Sequence, residues 1–149
     1  MIDVKTVEDL SQAEALELIA SGLLGWKKVG DGWMPPEAGF RPRWDPFESK
    51  DDAWVIIAAL NARGWLTIIK CMPEGFQFIL GNCAAGDPKL DKRCVCELYL
   101  MGGDSSAPYN RVVRRPEATW ADTVERAILN AGLLVIAIEE EAAPLEGAV

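Results

Sequence analysis

The stretch that decides the fold is SKDDAWVIIAALNARGWLTIIKC, residues 49–71. Ser49 is a helix-capping residue, and Asp51 and Asp52 put negative charge in the first turn, where the amides are unpaired and the helix dipole is positive. Ala53, Ile56, Ile57 and Leu60 recur at helical spacing, and Gly64 supplies the left-handed residue that ends a helix. Trp65 follows that glycine and is placed to pack back on the last turn, and Trp65–Cys71 then reads as a strand. The segment therefore predicts a capped helix delivered straight into a strand.

The same punctuation recurs on either side. Upstream, a helix is expected to start at Thr6 or at Ser11, with the stripe Ala13, Leu16, Ile19, Ala20 and Leu23 and with Gly22 as its stop. Downstream, Thr119 reads as a cap with Asp122 three residues on. Its stripe is Ala121, Val124, Ala127, Ile128 and Ala131, with Gly132 at the end. Between the first two helices, Asp31-Gly32 predicts a hairpin turn between Trp26-Lys27-Lys28-Val29 and Trp33-Met34. Pro35, Pro36, Pro42 and Pro46 then make an extended connection that can join a sheet only at an edge.

After the second helix, Phe76–Leu80 alternates in the manner of a half-buried strand beyond the turn Pro73-Glu74-Gly75. Gly81–Arg93 reads as a polar loop, Arg93–Met101 as a strand, Gly102–Ser106 as a turn and Tyr109–Arg115 as an edge strand. Leu133–Ile138 is an unbroken apolar run that fits either a short buried strand or an extension of the third helix. The fold class is α+β: an antiparallel sheet of about four to six strands with two to three helices packed on it. Residues 1–138 form one domain, and residues 139–149 an acidic tail expected to be mobile.

Bulk properties narrow the function. The chain has 149 residues, half of them apolar, enough for one domain with an ordinary core. No apolar run approaches the roughly 20 residues that span a bilayer, and Met1–Lys5 does not read as a secretory signal, so no membrane role is expected and a cytoplasmic location is the default. The formal charge is −8, from 23 acids and 15 bases, with half the excess in Glu139, Glu140, Glu141 and Glu146. Phosphate backbones repel such a chain, which excludes general nucleic-acid binding. A homo-oligomer is compatible with the composition.

Four cysteines, Cys71, Cys83, Cys94 and Cys96, accompany no histidine. Their spacing lacks the paired knuckle of a zinc site, and Cys94 and Cys96 on one strand face suit burial as well as ligation. A cytosolic chain of this size is not expected to form disulfides. A Cys-ligated metal site or metal-assisted enzyme stands as a minor alternative. No cofactor is implied. Without histidine there is no base titrating near neutrality, and no phosphate-cradling or nucleophile-elbow motif is present.

Two clusters are candidate ligand-binding residues. Trp26, Trp33 and Trp44 lie in the hairpin and its exit with Arg41 and Arg43. They read as hairpin packing or as an aromatic platform beside an anion. Arg111, Arg114 and Arg115 share one extended segment and read as a solvated edge or as a phosphate or carboxylate clamp. Trp54 and Trp65 read as structural, Trp54 in the core or at its edge, and Trp120 reads as the opening of the third helix.

The order of marks from Leu10 to Leu134 resembles the phage ABA-sandwich domain family, small proteins of tailed bacteriophages. The features that carry it are Leu24-Gly25-Trp26, Trp33-Met34-Pro35-Pro36, Trp44-Asp45-Pro46, the Ser49-Lys50-Asp51-Asp52-Ala53 helix start, Arg63-Gly64-Trp65 and Glu117-Ala118-Thr119 before an Ala-rich helix. The cysteine-bearing stretch Asn82–Arg93 and the apolar and acidic extension after Leu134 depart from that pattern. The resemblance implies a phage product acting in the host bacterial cytoplasm, and carries over no catalytic residue. The expected function is non-catalytic binding of a host protein. The alternative is sequestration of a small anionic, nucleotide-type signalling molecule.

Overall fold

The computed structural model describes residues 10–36, 39–41, 43–71 and 94–142. The expected strand Phe76–Leu80, its turn, the loop Gly81–Arg93, Cys83, Pro42 and the alternative cap Thr6 lie outside the described residues. Among the described residues there are two antiparallel sheets and three α-helices, an α+β fold as expected.

Helix α1 spans Gln12–Leu18, with Ser11 as its cap accepting from the Glu14 amide. It continues into a π-helical turn, Ile19–Leu23, closed by the Leu24 amide donating to the Ile19 carbonyl. The stop is Gly25, at φ 69°, three residues beyond the expected Gly22. The wider π-turn carries the chain past Gly22 while keeping Ile19, Ala20 and Leu23 in the core. Ala13 of the expected stripe faces solvent, and Ala15 is the buried alanine of α1 instead.

Strands β1 (Lys27–Val29) and β2 (Gly32–Met34) form the hairpin, with Val29 opposite Gly32. The two loop residues are therefore Gly30 and Asp31, with the positive φ of 60° on Gly30, so the turn sits one residue earlier than Asp31-Gly32. A Cβ on Gly32 would run into the Phe40 ring, because the returning chain crosses there. Trp33 and Arg41 exchange both backbone hydrogen bonds at that crossing.

Helix α2 (Lys50–Ala62) follows the sequence reading closely. Ser49 accepts from the Asp52 amide, Ala53, Ile56, Ile57 and Leu60 are buried, and Gly64 has φ 90°. Trp54 is an exception: it is 59% exposed, not core. Strand β3 (Trp65–Cys71) pairs with β4 (Cys94–Gly102) along its whole length, from Trp65 opposite Leu100 to Cys71 opposite Cys94. The Tyr109–Arg115 segment contributes only a two-residue strand, β5 (Arg111–Val112), beside the end of β4.

The far side of β4 is taken by β6, Glu117–Ala121, which the sequence assigns to a helix start. Thr119 is therefore a strand residue: its hydroxyl donates to the Ala127 carbonyl, 2.9 Å away and buried. The helix begins four residues later. Thr123 caps it, accepting from the Arg126 amide, and α3 runs from Val124 to Ala142. It passes through Gly132, so Leu133–Ile138 is helix and not strand, and residues 139–142 of the expected tail form its last turn.

Burial explains that long helix. Ala127–Ile138 is buried on every side, with β4 and β6 against one flank and α2 and the π-turn against the other. Gly132 faces Ile19 and Leu23 of the π-turn and Ile56 of α2. Arg63 then ties three elements together, donating to the Leu23 carbonyl at 2.8 Å and ion-pairing with Glu139.

Candidate binding surface

Alternation along the sheet sorts its side chains into two faces. Cys94, Cys96 and Leu98 of β4, with Thr119 and Ala121 of β6 and Trp65 of β3, are buried towards α2 and α3. The opposite, outer face carries Leu66, Ile68 and Lys70 from β3, Val95, Glu97 and Tyr99 from β4, and Ala118 and Trp120 from β6. The three helices lie on the other side. Leu66 and Ile68 are 46% and 37% exposed, although both are large and apolar. Val95 is buried, but it stands outside the main core cluster.

A charged network crosses this face. Lys70 lies one diagonal step from Glu97 and its ammonium is 2.7 Å from one carboxylate oxygen. The Tyr99 hydroxyl donates to the other at 2.6 Å. The Lys70 hydrogen bond, and then that of Tyr99, holds the Glu97 carboxyl below its usual range. The same carboxylate raises the Lys70 ammonium and the Tyr99 phenol above theirs. Ala118 of β6 stands opposite Glu97 of β4, and both line a depression of about 450 Å³. Arg115, Glu117, Tyr99 and Trp120 line it, and Arg114 pairs with Glu117 at 3.7 Å.

The tryptophans singled out from the sequence are packing elements. Trp26, Trp33 and Trp44 are 7%, 5% and 5% exposed. Trp26 meets Trp44 edge-on at 4.8 Å, and the Trp44 indole N–H donates to the Asp52 carbonyl at 3.0 Å, fixing the hairpin exit to the start of α2. Arg41 lies over the Trp26 ring at 5.2 Å. Exposed Arg43 joins Trp33 and Trp44 in a second open depression of about 480 Å³, which Asp31 and Asp45 also line. Of the arginine segment, Arg115 lines the sheet-face depression, so Arg43 and Arg115 serve different hollows. Arg111 and Arg114 are exposed.

The cysteines divide by depth. Cys96 is buried, and burial pushes its thiol up to about 12. Cys71 is exposed, and its sulfur lies 3.7 Å from that of buried Cys94 directly across the strands. Among the described residues no cluster of three or more Cys, Asp or Glu could hold a metal ion, and Cys83 lies outside them. No described helix is long and apolar enough to cross a membrane.

Sequence reasoning named Arg115 but missed Lys70, Glu97 and Tyr99, and read Trp120 as the opening of a helix. The available signal was alternation. Leu66, Ile68 and Lys70 share a parity in β3, as do Glu97 and Tyr99 in β4, opposite to the cysteines. It stayed silent because β6 was read as helix, leaving the sheet without its second flank. Comparison with protein families, curated proteins and solved structures returns no match to this chain.

Proposed function

We propose that this chain works by non-catalytic binding, and that it docks a protein partner on the outer face of its four-stranded sheet. The observation that carries the reading is the pair Leu66 and Ile68, exposed on the strand face turned away from the helices. Around them stand Tyr99, Trp120 and Arg115, residue types that dominate binding energy in protein interfaces. The Lys70–Glu97–Tyr99 network supplies a polar element already satisfied within the chain, so covering it leaves no unpaired charge. With a net charge of −8, the fitting partner has an apolar centre and a basic rim. In keeping with the resemblance to phage ABA-sandwich proteins, that partner is a host protein met in the bacterial cytoplasm.

The test is capture from bacterial lysate with the wild type and with a Leu66→Asp/Ile68→Asp variant. Both positions are exposed, so the variant keeps the wild-type circular dichroism spectrum. A stoichiometric complex that the variant loses supports this docking face. Equal capture by both proteins refutes it.

The second reading, sequestration of a small anionic ligand, is favoured by the Trp33–Arg43–Trp44 depression, whose size is within the ordinary range for ligand pockets. Its electrostatics weigh against an anion, since Asp31 and Asp45 oppose the single guanidinium. Native mass spectrometry separates the readings: a bound mass released on denaturation, and removed by Arg43→Ala, favours the small ligand.

A further inference from the structure

The contact between Cys71 and Cys94 is left unused by the docking reading. The two residues are direct partners across β3 and β4, and their sulfurs are 3.7 Å apart. Opposite residues in an antiparallel pair have Cβ atoms about 4.5–5.5 Å apart, and a disulfide requires roughly 3.5–4.5 Å with sulfurs near 2.05 Å. Closing about 1.7 Å between the sulfurs is within reach of side-chain rotation and a small shift of β3 towards β4. Among the described strands β3 pairs with β4 alone.

Access is asymmetric in a way that suits exchange chemistry. Cys71 is exposed, whereas Cys94 is buried beneath it, its thiol also within 3.8 Å of the Asp122 carbonyl. Cys96, next on the same face, is fully buried opposite Ile69 and its thiol titrates far above neutrality. One thiol is open to solvent, one is positioned to resolve, and one is inert.

We propose that Cys71 and Cys94 form a reversible redox pair that is oxidised to a cross-strand disulfide by low-molecular-weight disulfides of the glutathione class. The Cys71 thiolate attacks one sulfur of the oxidant, whose S–S bond breaks. A mixed disulfide forms on Cys71, and the first small thiolate leaves and takes up the proton Cys71 gave away. The Cys94 thiolate then attacks the Cys71 sulfur. The Cys71–Cys94 bond forms, and the second small thiolate leaves with the proton from Cys94. Two electrons pass from the protein to the oxidant, which ends as two thiols. The new bond closes a covalent loop around residues 72–93. A pair of this kind is reduced in an ordinary bacterial cytoplasm and oxidised when the disulfide pool rises.

The experiment uses the full chain, reduced and then equilibrated with glutathione disulfide, followed by alkylation under denaturing conditions and intact and peptide mass analysis. Alkylatable thiols are expected to fall from four to two, with Cys71 linked to Cys94 and full recovery on adding dithiothreitol. Cys71→Ser should abolish the link, Cys94→Ala should trap a glutathione adduct on Cys71, and Cys96→Ala should leave the link intact. Cys71 is exposed, so Cys71→Ser reports on the chemistry even if the buried variants fold poorly. Four alkylatable thiols after equilibration, or a link that maps to Cys83 or Cys96, overturns the proposal.

Discussion

Replacing Gly132 with alanine tests the most unexpected element, the helix that runs through an apparent stop. On an exposed helix this change stabilises by about 0.8–1 kcal/mol through backbone entropy. Here a Cβ would stand 2.6 Å from Ile19 Cδ1, 3.0 Å from Ile56 Cγ2 and 3.3 Å from Leu23 Cδ2. Carbon atoms prefer roughly 3.5–4.0 Å, so one methyl overlaps side chains from both the π-turn and α2. All three neighbours are buried, and rotating Ile19 away moves its methyl into other packed atoms. Overpacking of this kind costs about 1–3 kcal/mol. Taking about 2 kcal/mol for two severe overlaps, the net effect of Gly132→Ala is a loss of about 1 kcal/mol. Gly132→Val, with two more methyls and a smaller helix gain, should lose about 2–3 kcal/mol. Exposed Gly22 is the control: its Cβ would approach only the Ile136 side chain, no nearer than 3.3 Å, so Gly22→Ala should stay within about 0.5 kcal/mol of wild type. Urea unfolding followed by tryptophan fluorescence measures all three, with m-values compared to check that the transition is unchanged. A Gly132→Ala protein more stable than wild type by about 1 kcal/mol would refute the packing of α3 against the π-turn.

Two further perturbations address the sheet. Thr119→Val keeps the buried shape but removes the hydroxyl that donates to the Ala127 carbonyl, and should destabilise by about 1 kcal/mol in the same unfolding assay. An unchanged stability would place that side chain elsewhere. For the outer-face network, Glu97 has a folded pKa below its ordinary 4.5, so its contribution is present above that pH and is lost as acid titrates it through the lower folded value. Lys70 is raised above 10.5, so its contribution is complete below that pH and is lost as pH rises through the folded value. Melting temperatures measured across pH for wild type and Glu97→Gln should therefore converge at both extremes. Parallel curves at acid and alkaline pH would show that the network does not couple folding to protons.

Much of the fold was legible because local rules and tertiary packing agreed. Residues 49–71 are the clearest case: the Ser49 cap, the amphipathic stripe and the Gly64 stop each act within a few residues, and α2 is buried on one side only, so its apolar period survives. The hairpin and the Cys94–Gly102 strand were readable for the same reason, to within a residue of turn register. The third helix was not. Buried on all sides, α3 needs no polar face, and the period that distinguishes helix from strand disappears from Leu133–Ile138. With its period went its start, because Thr119 and Thr123 both satisfy the local capping pattern, and only the vacant edge of β4 makes the first of them a strand residue.

The candidate site divides along the same line. The α+β class, the capped second helix and the acidic charge were readable from residue order, since these follow from propensity, spacing and composition. Residue order also named Arg115, as one cation in a run of three. Tertiary structure alone decided that the tryptophans of the hairpin are spent on packing. It also decided that Leu66 and Ile68 face away from the helices, that Lys70, Glu97 and Tyr99 meet on one surface, and that Cys71 lies against Cys94. The physical reason is that strand pairing joins residues far apart in sequence, and the register that selects the partners is set by burial against α2 and α3.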